Sequence, residues 1–131
     1  MSARSRRGGA SSDPAYPAYP GDAADPFVLN VDGSYYAFVT QVPDGAGGWV
    51  NVPVLQSSDG LGGWAPQATV ADALPQLPSW ARVGNTWAPA VAQTGSSSFV
   101  LYYTVTDAAS GMQAISRAAS SAPLSRQTTD R

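Results

Sequence analysis

The chain of 131 residues is long enough for one domain and too short for two of ordinary size, and its 44% apolar content supports a packed core rather than disorder. A formal charge of −2, with three of the seven basic residues in the first seven positions, provides no basic face for nucleic acid. The sequence contains no His, Cys, Lys or Glu, which excludes Ser-His-Asp and Cys-His nucleophile systems, histidine-ligated zinc, Lys Schiff bases and disulfides within the chain.

Nine Asp are therefore the side-chain carboxylates available for acid–base chemistry. With this donor set no cofactor and no metal site is expected. No membrane partner is expected either, because no stretch approaches the roughly 20 apolar residues of a span. Met1 to Arg7 is basic enough to open an export signal, but Gly8 to Pro20 lacks the apolar run that such a signal needs, so none is recognised.

In chain order, residues 1–21 are rich in Ser, Gly, Ala and Pro, with a Tyr-Pro-Ala-Tyr-Pro run at 16–20, and read as a disordered to extended lead-in. The stretch from Ala24 to Thr40 then reads as two strands. Asp32-Gly33 between two apolar and aromatic runs is a strong hairpin signal, because both residues tolerate the positive φ that a two-residue turn needs. Pro26 has no N–H for a ladder and fits the start of a strand, which sets Asp25 at a strand entrance, where a side chain can face a cleft.

A loop at Pro43 to Gly48 precedes a third strand from Trp49 to Ser57, with Pro53 marking an edge or bulge. Asp59-Gly60 and Gly62-Gly63 turn the chain, Trp64 to Val70 holds a short fourth strand, and Ala71 to Val83 is a Pro-punctuated connection. Asp32 and Asp59, each before a Gly, read as turn residues, and Asp22, Asp72 and Asp107 as surface or loop residues.

The pattern then repeats. Trp87-Ala88-Pro89-Ala90-Val91-Ala92 mirrors Ala24-Asp25-Pro26-Phe27-Val28-Leu29, Phe99 to Thr104 mirrors Tyr35 to Thr40, and Met112 to Ser121 mirrors Asn51 to Asp59, all at offsets of roughly 63 residues. A four-stranded sheet used twice predicts an all-β chain built as propeller blades, blade 1 over about 22–83 and an incomplete blade 2 over about 84–125, followed by a polar tail at 126–131. The innermost strand of each blade lines the axis, so Asp25 and Trp87 are expected at equivalent places. A β-sandwich with accidental self-similarity is the alternative.

The ordered set Ala24-Asp25-Pro26-Phe27-Val28-Leu29, Asp32 to Phe38, Val52 to Asp59, Ala73-Leu74-Pro75, Trp80, Thr86-Trp87-Ala88-Pro89 and Phe99 to Tyr103 resembles the opening of glycoside hydrolase family 43. The resemblance runs from about Asp22 to Leu124 and implies the first two blades of a five-bladed β-propeller. It implies an enzyme, often secreted, that hydrolyses arabinofuranosyl or xylosyl linkages of plant polysaccharides with inversion. Such chemistry uses two carboxyls about 6.5–9.5 Å apart, one as base toward water and one as acid toward the leaving oxygen. Asp25 matches the family's general base. The family's general acid is a Glu, which this sequence lacks, so the isolated chain is expected to be a poor glycosidase.

Trp87 and Trp49 are the candidate sugar platforms, since an aromatic face suits the C–H side of a sugar ring; blade packing or surface anchoring is the competing role of each. Two other functions remain open from the residues. One is a non-catalytic carbohydrate-binding β module, and the other an interaction domain completed by a second chain. Two blades alone leave apolar faces and strand edges through which copies could self-associate.

Overall fold

The computed structural model describes residues 17–121 and 128–129, and within them every regular element is a strand. In chain order these are β1 (Phe27–Val31), β2 (Ser34–Phe38), β3 (Val42–Pro43), β4 (Trp49–Val50), β5 (Val54–Ser57), β6 (Ala65–Pro66), β7 (Ala81–Gly95), β8 (Ser98–Asp107), β9 (Gln113–Ser120) and β10 (Thr128–Thr129). Two four-stranded sheets result, ordered β1-β2-β5-β6 and β7-β8-β9-β10, with β3 and β4 forming a separate hairpin. Every pairing is antiparallel, and the first strands of the two sheets touch each other.

The opening hairpin closes as the residues require. Val31 pairs with Ser34 across Asp32 and Gly33, whose φ values of 51° and 85° are those of a primed two-residue turn. Alternation then sorts the side chains. Phe27, Leu29 and Val31 turn toward the second sheet while Val28 is half exposed on the other face, and in β8 Phe99, Leu101 and Tyr103 are buried between exposed or half-buried neighbours, with Val105 and Thr106 both buried at its end.

The core lies between the sheets. Phe38, Val52, Val54, Ala73 and Leu74 meet Val91, Phe99, Leu101, Tyr103, Val105 and Ala118 in one cluster, each large side chain there contributing roughly 1.5–3 kcal/mol of transfer free energy. A smaller cluster of Ala37, Val39 and Leu55 lies on the far face of the first sheet, covered by Tyr19, Ala23 and Trp64. The described part of the lead-in is thus packed at Tyr19; residues 1–16 lie outside the described residues. The corresponding far face of the second sheet bears Tyr102 and Ile115, the latter 80% exposed.

Three elements differ from the sequence reading. The run from Trp49 to Ser57 is two strands rather than one, because Asp72 captures its middle: the Asp72 carboxylate accepts the N–H groups of Asn51, Val52 and Leu74 at 2.8–2.9 Å, and Asp72 bridges Pro53. Asp72 is therefore a half-buried staple and not a surface residue. The strand expected to begin at Trp87 begins at Ala81, where the chain already pairs with Asp107. The fourth strand of the second sheet is Thr128–Thr129, opposite Ala119 and Ala118.

Candidate functional site

The site is built where β1 begins and where β7 is broken in its middle. Asp25 and Ala88 each precede a proline, and both adopt a left-handed conformation, with φ of 52° and 49°. A residue before proline is pushed toward extended backbone, and left-handed geometry costs a non-glycine residue about 1–2 kcal/mol. The same strained turn therefore precedes β1 and interrupts β7. In β7 it lies in a break of register between Trp87, opposite Thr104, and Ala90, opposite Tyr102, a bulge that kinks the strand and redirects its side chains.

The structural counterpart of Asp25 is thus Ala88, as the mirrored sequence runs pair them, and not Trp87, the residue expected at the equivalent place. Trp87 shares its face with Thr104 and Ile115, whereas Thr86, opposite Val105, is fully buried toward the core. Trp87 is half buried. Its backbone is one residue away from a direct link to Asp25.

That link is Thr40. Its hydroxyl donates to Asp25 Oδ2 at 2.9 Å and accepts the Ala88 N–H at 2.9 Å, while its own N–H donates to the Ala24 carbonyl at 2.9 Å. Gln41 continues the seam. Its N–H donates to the Thr86 carbonyl at 3.3 Å, its Oε1 accepts the Thr86 N–H at 3.0 Å, and its Nε2 donates to the Gly84 carbonyl. Sequence reasoning singled out neither residue. The turn chemistry held the clue to Thr40, since counting outward from the Val31–Ser34 pair sets Asp25 opposite Thr40.

Asp25 is exposed, and among the described residues Thr40 alone hydrogen-bonds to its carboxylate. Four other aspartates differ. Asp44 accepts the N–H groups of Ala46 and Gly48, Asp59 those of Leu61 and Gly62, Asp107 that of Ala109, and Asp72 three more. Those bonds to backbone N–H hold the Asp44 and Asp59 carboxyls below their ordinary value. For Asp107 the Ser110 hydroxyl has the largest share, followed by the Ala109 N–H and the charge of Arg82. Asp25 makes no such bond to the backbone, so it does not cap its own turn.

Trp49 lies at the other side of the seam. It is 39% exposed opposite Pro43 at the loop end of the β3–β4 hairpin, and its indole covers Gly84, where an added Cβ would stand 2.9 Å from Nε1. Gly84 has φ of 83°, so both space and conformation require glycine there. An apolar cavity of about 330 Å³ lies elsewhere, on the far face of the first sheet between Tyr19, Pro26, Val39, Leu55, Leu61 and Trp64. It has no acid or base in its lining. Among the described residues no group of three or more His, Cys, Asp or Glu could hold a metal ion.

What this arrangement offers is a solvent-facing carboxylate, held from one side by a neutral hydroxyl, beside a strand that carries an aromatic ring. Comparison with known proteins gives the context. The family model described as glycosyl hydrolases family 43 matches residues 15–125. No curated protein matches the sequence.

Several solved structures share the fold. A GH43_1 enzyme from Xanthomonas citri, complexed with xylose, is 23% identical over 88% of this chain and 34% of its own, with a TM-score of 0.66. An exo-1,5-α-L-arabinanase from a bovine ruminal metagenomic library is 27% identical over 75% of this chain and 30% of its own, at 0.54. The arabinanase Arb43A of Bacillus subtilis is 24% identical over 86% and 41%, at 0.56. The chain therefore spans about a third of the length of the enzymes it resembles, and its two sheets form part of a β-propeller.

Proposed function

The chain belongs to glycoside hydrolase family 43, a family of glycosidases of plant polysaccharides, and from that premise we propose that it provides the base-bearing wedge of an inverting enzyme acting on arabinofuranosyl or xylosyl linkages. Asp25 is the general base. Its free carboxylate oxygen takes a proton from water, the water oxygen bonds to the anomeric carbon, and the glycosidic C–O bond breaks on the opposite face. The leaving oxygen receives its proton from a carboxylic acid that this glutamate-free chain does not supply. Hydrolysis by the isolated chain is accordingly expected to be negligible.

The observation that supports this reading is the state of the Asp25 carboxylate. It is exposed, excused from capping its own turn, and bonded through one oxygen to a side-chain hydroxyl. A base needs an oxygen left open toward water and a fixed orientation, and this arrangement meets both needs. Trp87 and Trp49 flank the seam as platforms for the sugar, with arabinan or arabinoxylan as the substrate class.

The test is a fusion of this chain to the part of the Bacillus subtilis arabinanase that it does not cover, assayed on arabinan and on aryl arabinofuranosides and xylosides. Turnover is expected from the fusion and not from the chain alone, and Asp25→Asn should lower it about 10²- to 10⁴-fold. Turnover by the chain alone that survives Asp25→Asn would exclude both the role of Asp25 and the need for a completing acid.

A further inference from the structure

We propose that Thr40 is a positioning residue, fixing the Asp25 carboxylate and the backbone beside the Trp87 platform as one unit through a single hydroxyl. The proposal rests on the reading of Asp25 as the base. A threonine hydroxyl has one proton and two lone pairs. With the Ala88 N–H occupying a lone pair at 2.9 Å, the proton is directed to Asp25 Oδ2 at 2.9 Å.

This bond engages one carboxylate oxygen and leaves Oδ1 to receive the proton of water. It also sets the rotation of the carboxylate about its stem, which decides where the open lone pair points. Two features keep the hydroxyl itself in place. Threonine is β-branched and restricted at χ1, and its backbone is anchored on both sides, by its own N–H to Ala24 and by the bonds of Gln41 to Thr86 and Gly84.

The acceptor side of the hydroxyl bears on the platform. Ala88 holds a left-handed φ of 49° that alanine does not favour, and the bond from its N–H to Thr40 secures that turn from outside the strand. Trp87 is the residue immediately before it. One side chain thus sets base and platform in register, across a sequence separation of 15 residues on one side and 48 on the other.

The experiment is solution NMR on the full chain, isotopically labelled, following the Ala88 amide and the Asp25 side-chain carboxyl carbon. Thr40→Val keeps the shape without the hydroxyl, and Thr40→Ser keeps the hydroxyl. Exchange of the Ala88 amide with solvent should be about five- to tenfold faster in Thr40→Val and return to within about twofold of the parent in Thr40→Ser. The Asp25 carboxyl resonance should move and return in the same way. Because Asp25 is exposed, Asp25→Ala gives a second arm should Thr40→Val fail to fold: it should shift the Ala88 amide resonance, and Asp22→Ala should not. Failure of serine to restore the signals, or an Ala88 amide indifferent to Asp25→Ala, would overturn the proposal. If those results came with a fusion whose turnover still depends on Asp25, the base would stand and Thr40 alone would be discarded.

Discussion

Two entrances, Asp25-Pro26 into β1 and Ala88-Pro89 into the half of β7 that follows its bulge, share a backbone and differ in a side chain. Both residues hold nearly the same left-handed φ before a proline, Asp25 just before the first strand of one four-stranded sheet and Ala88 at the bulge within the first strand of the other. Alanine makes this turn without any polar group of its own, so the turn does not require a carboxylate. The fold needs the bend twice and the acid once, which separates what Asp25 does for the chain from what it offers to a ligand.

The largest expected effect comes from the core on which both entrances depend. Phe38 is fully buried in the cluster shared by the sheets, two residues before Thr40. Phe38→Ala should cost about 3–5 kcal/mol in denaturant unfolding, as transfer and cavity terms add. Amide exchange should then rise at Thr40 and Ala88 together. Protection that persists at Ala88 while Thr40 becomes labile would mean that the entrances belong to separate folding units, and the comparison between them would fail.

A glycine at each entrance separates backbone from side chain. Ala88→Gly removes the Cβ from a left-handed residue, and the relief of about 1–2 kcal/mol exceeds the entropic cost of glycine, so stability should rise by about 0.5–1 kcal/mol. Asp25→Gly should fall by a similar amount, roughly 0.5–1 kcal/mol, because Asp tolerates this region and its bond to Thr40 is lost. Opposite signs in thermal or denaturant unfolding are the expected outcome. Equal signs would show that the carboxylate makes no net contribution to its own entrance.

Much of the first entrance was legible in the sequence, and much of the second was not. Asp32-Gly33 fixed a turn whose register is local, and the alternation of Phe99 to Val105 identified the buried face of β8. The bonds that define the seam are different in kind. Thr40 reaches Ala88 across 48 residues, Gln41 reaches Thr86 across 45, and Asp72 reaches Asn51 across 21. Periodicity carries no information on such pairings, so it presents the third strand as continuous, and the ring of Trp87 favours that residue as the place equivalent to Asp25. Proline is the better marker, because it constrains the residue before it: the repeat that mirrors Pro26 in Pro89 pairs Asp25 with Ala88, and the backbone follows that pairing.

The smallest expected effect sharpens the contrast between carboxylates that serve the backbone and the one that does not. Asp44, Asp59 and Asp107 are held below their ordinary value of 3.8 by bonds made in the folded chain. A carboxyl depressed on folding stabilises the fold above its unfolded value, and that contribution is lost as pH falls through the lower folded value. Acidification below about pH 4 should therefore loosen the turns at Ala46 to Gly48, Leu61 to Gly62 and Ala109 to Met112. Asp44 and Asp59 are exposed and Asp107 half-buried at the surface, so the effect on overall stability is small, and the readout is amide exchange at those turns. Residues 84–89 include no acidic side chain, and the Thr86 N–H is bound to the neutral amide of Gln41. Its exchange, corrected for the intrinsic pH dependence, should stay level over the same interval; a Thr86 amide that loosens with the turns would show that the second entrance is held by the surrounding charge and not by the seam.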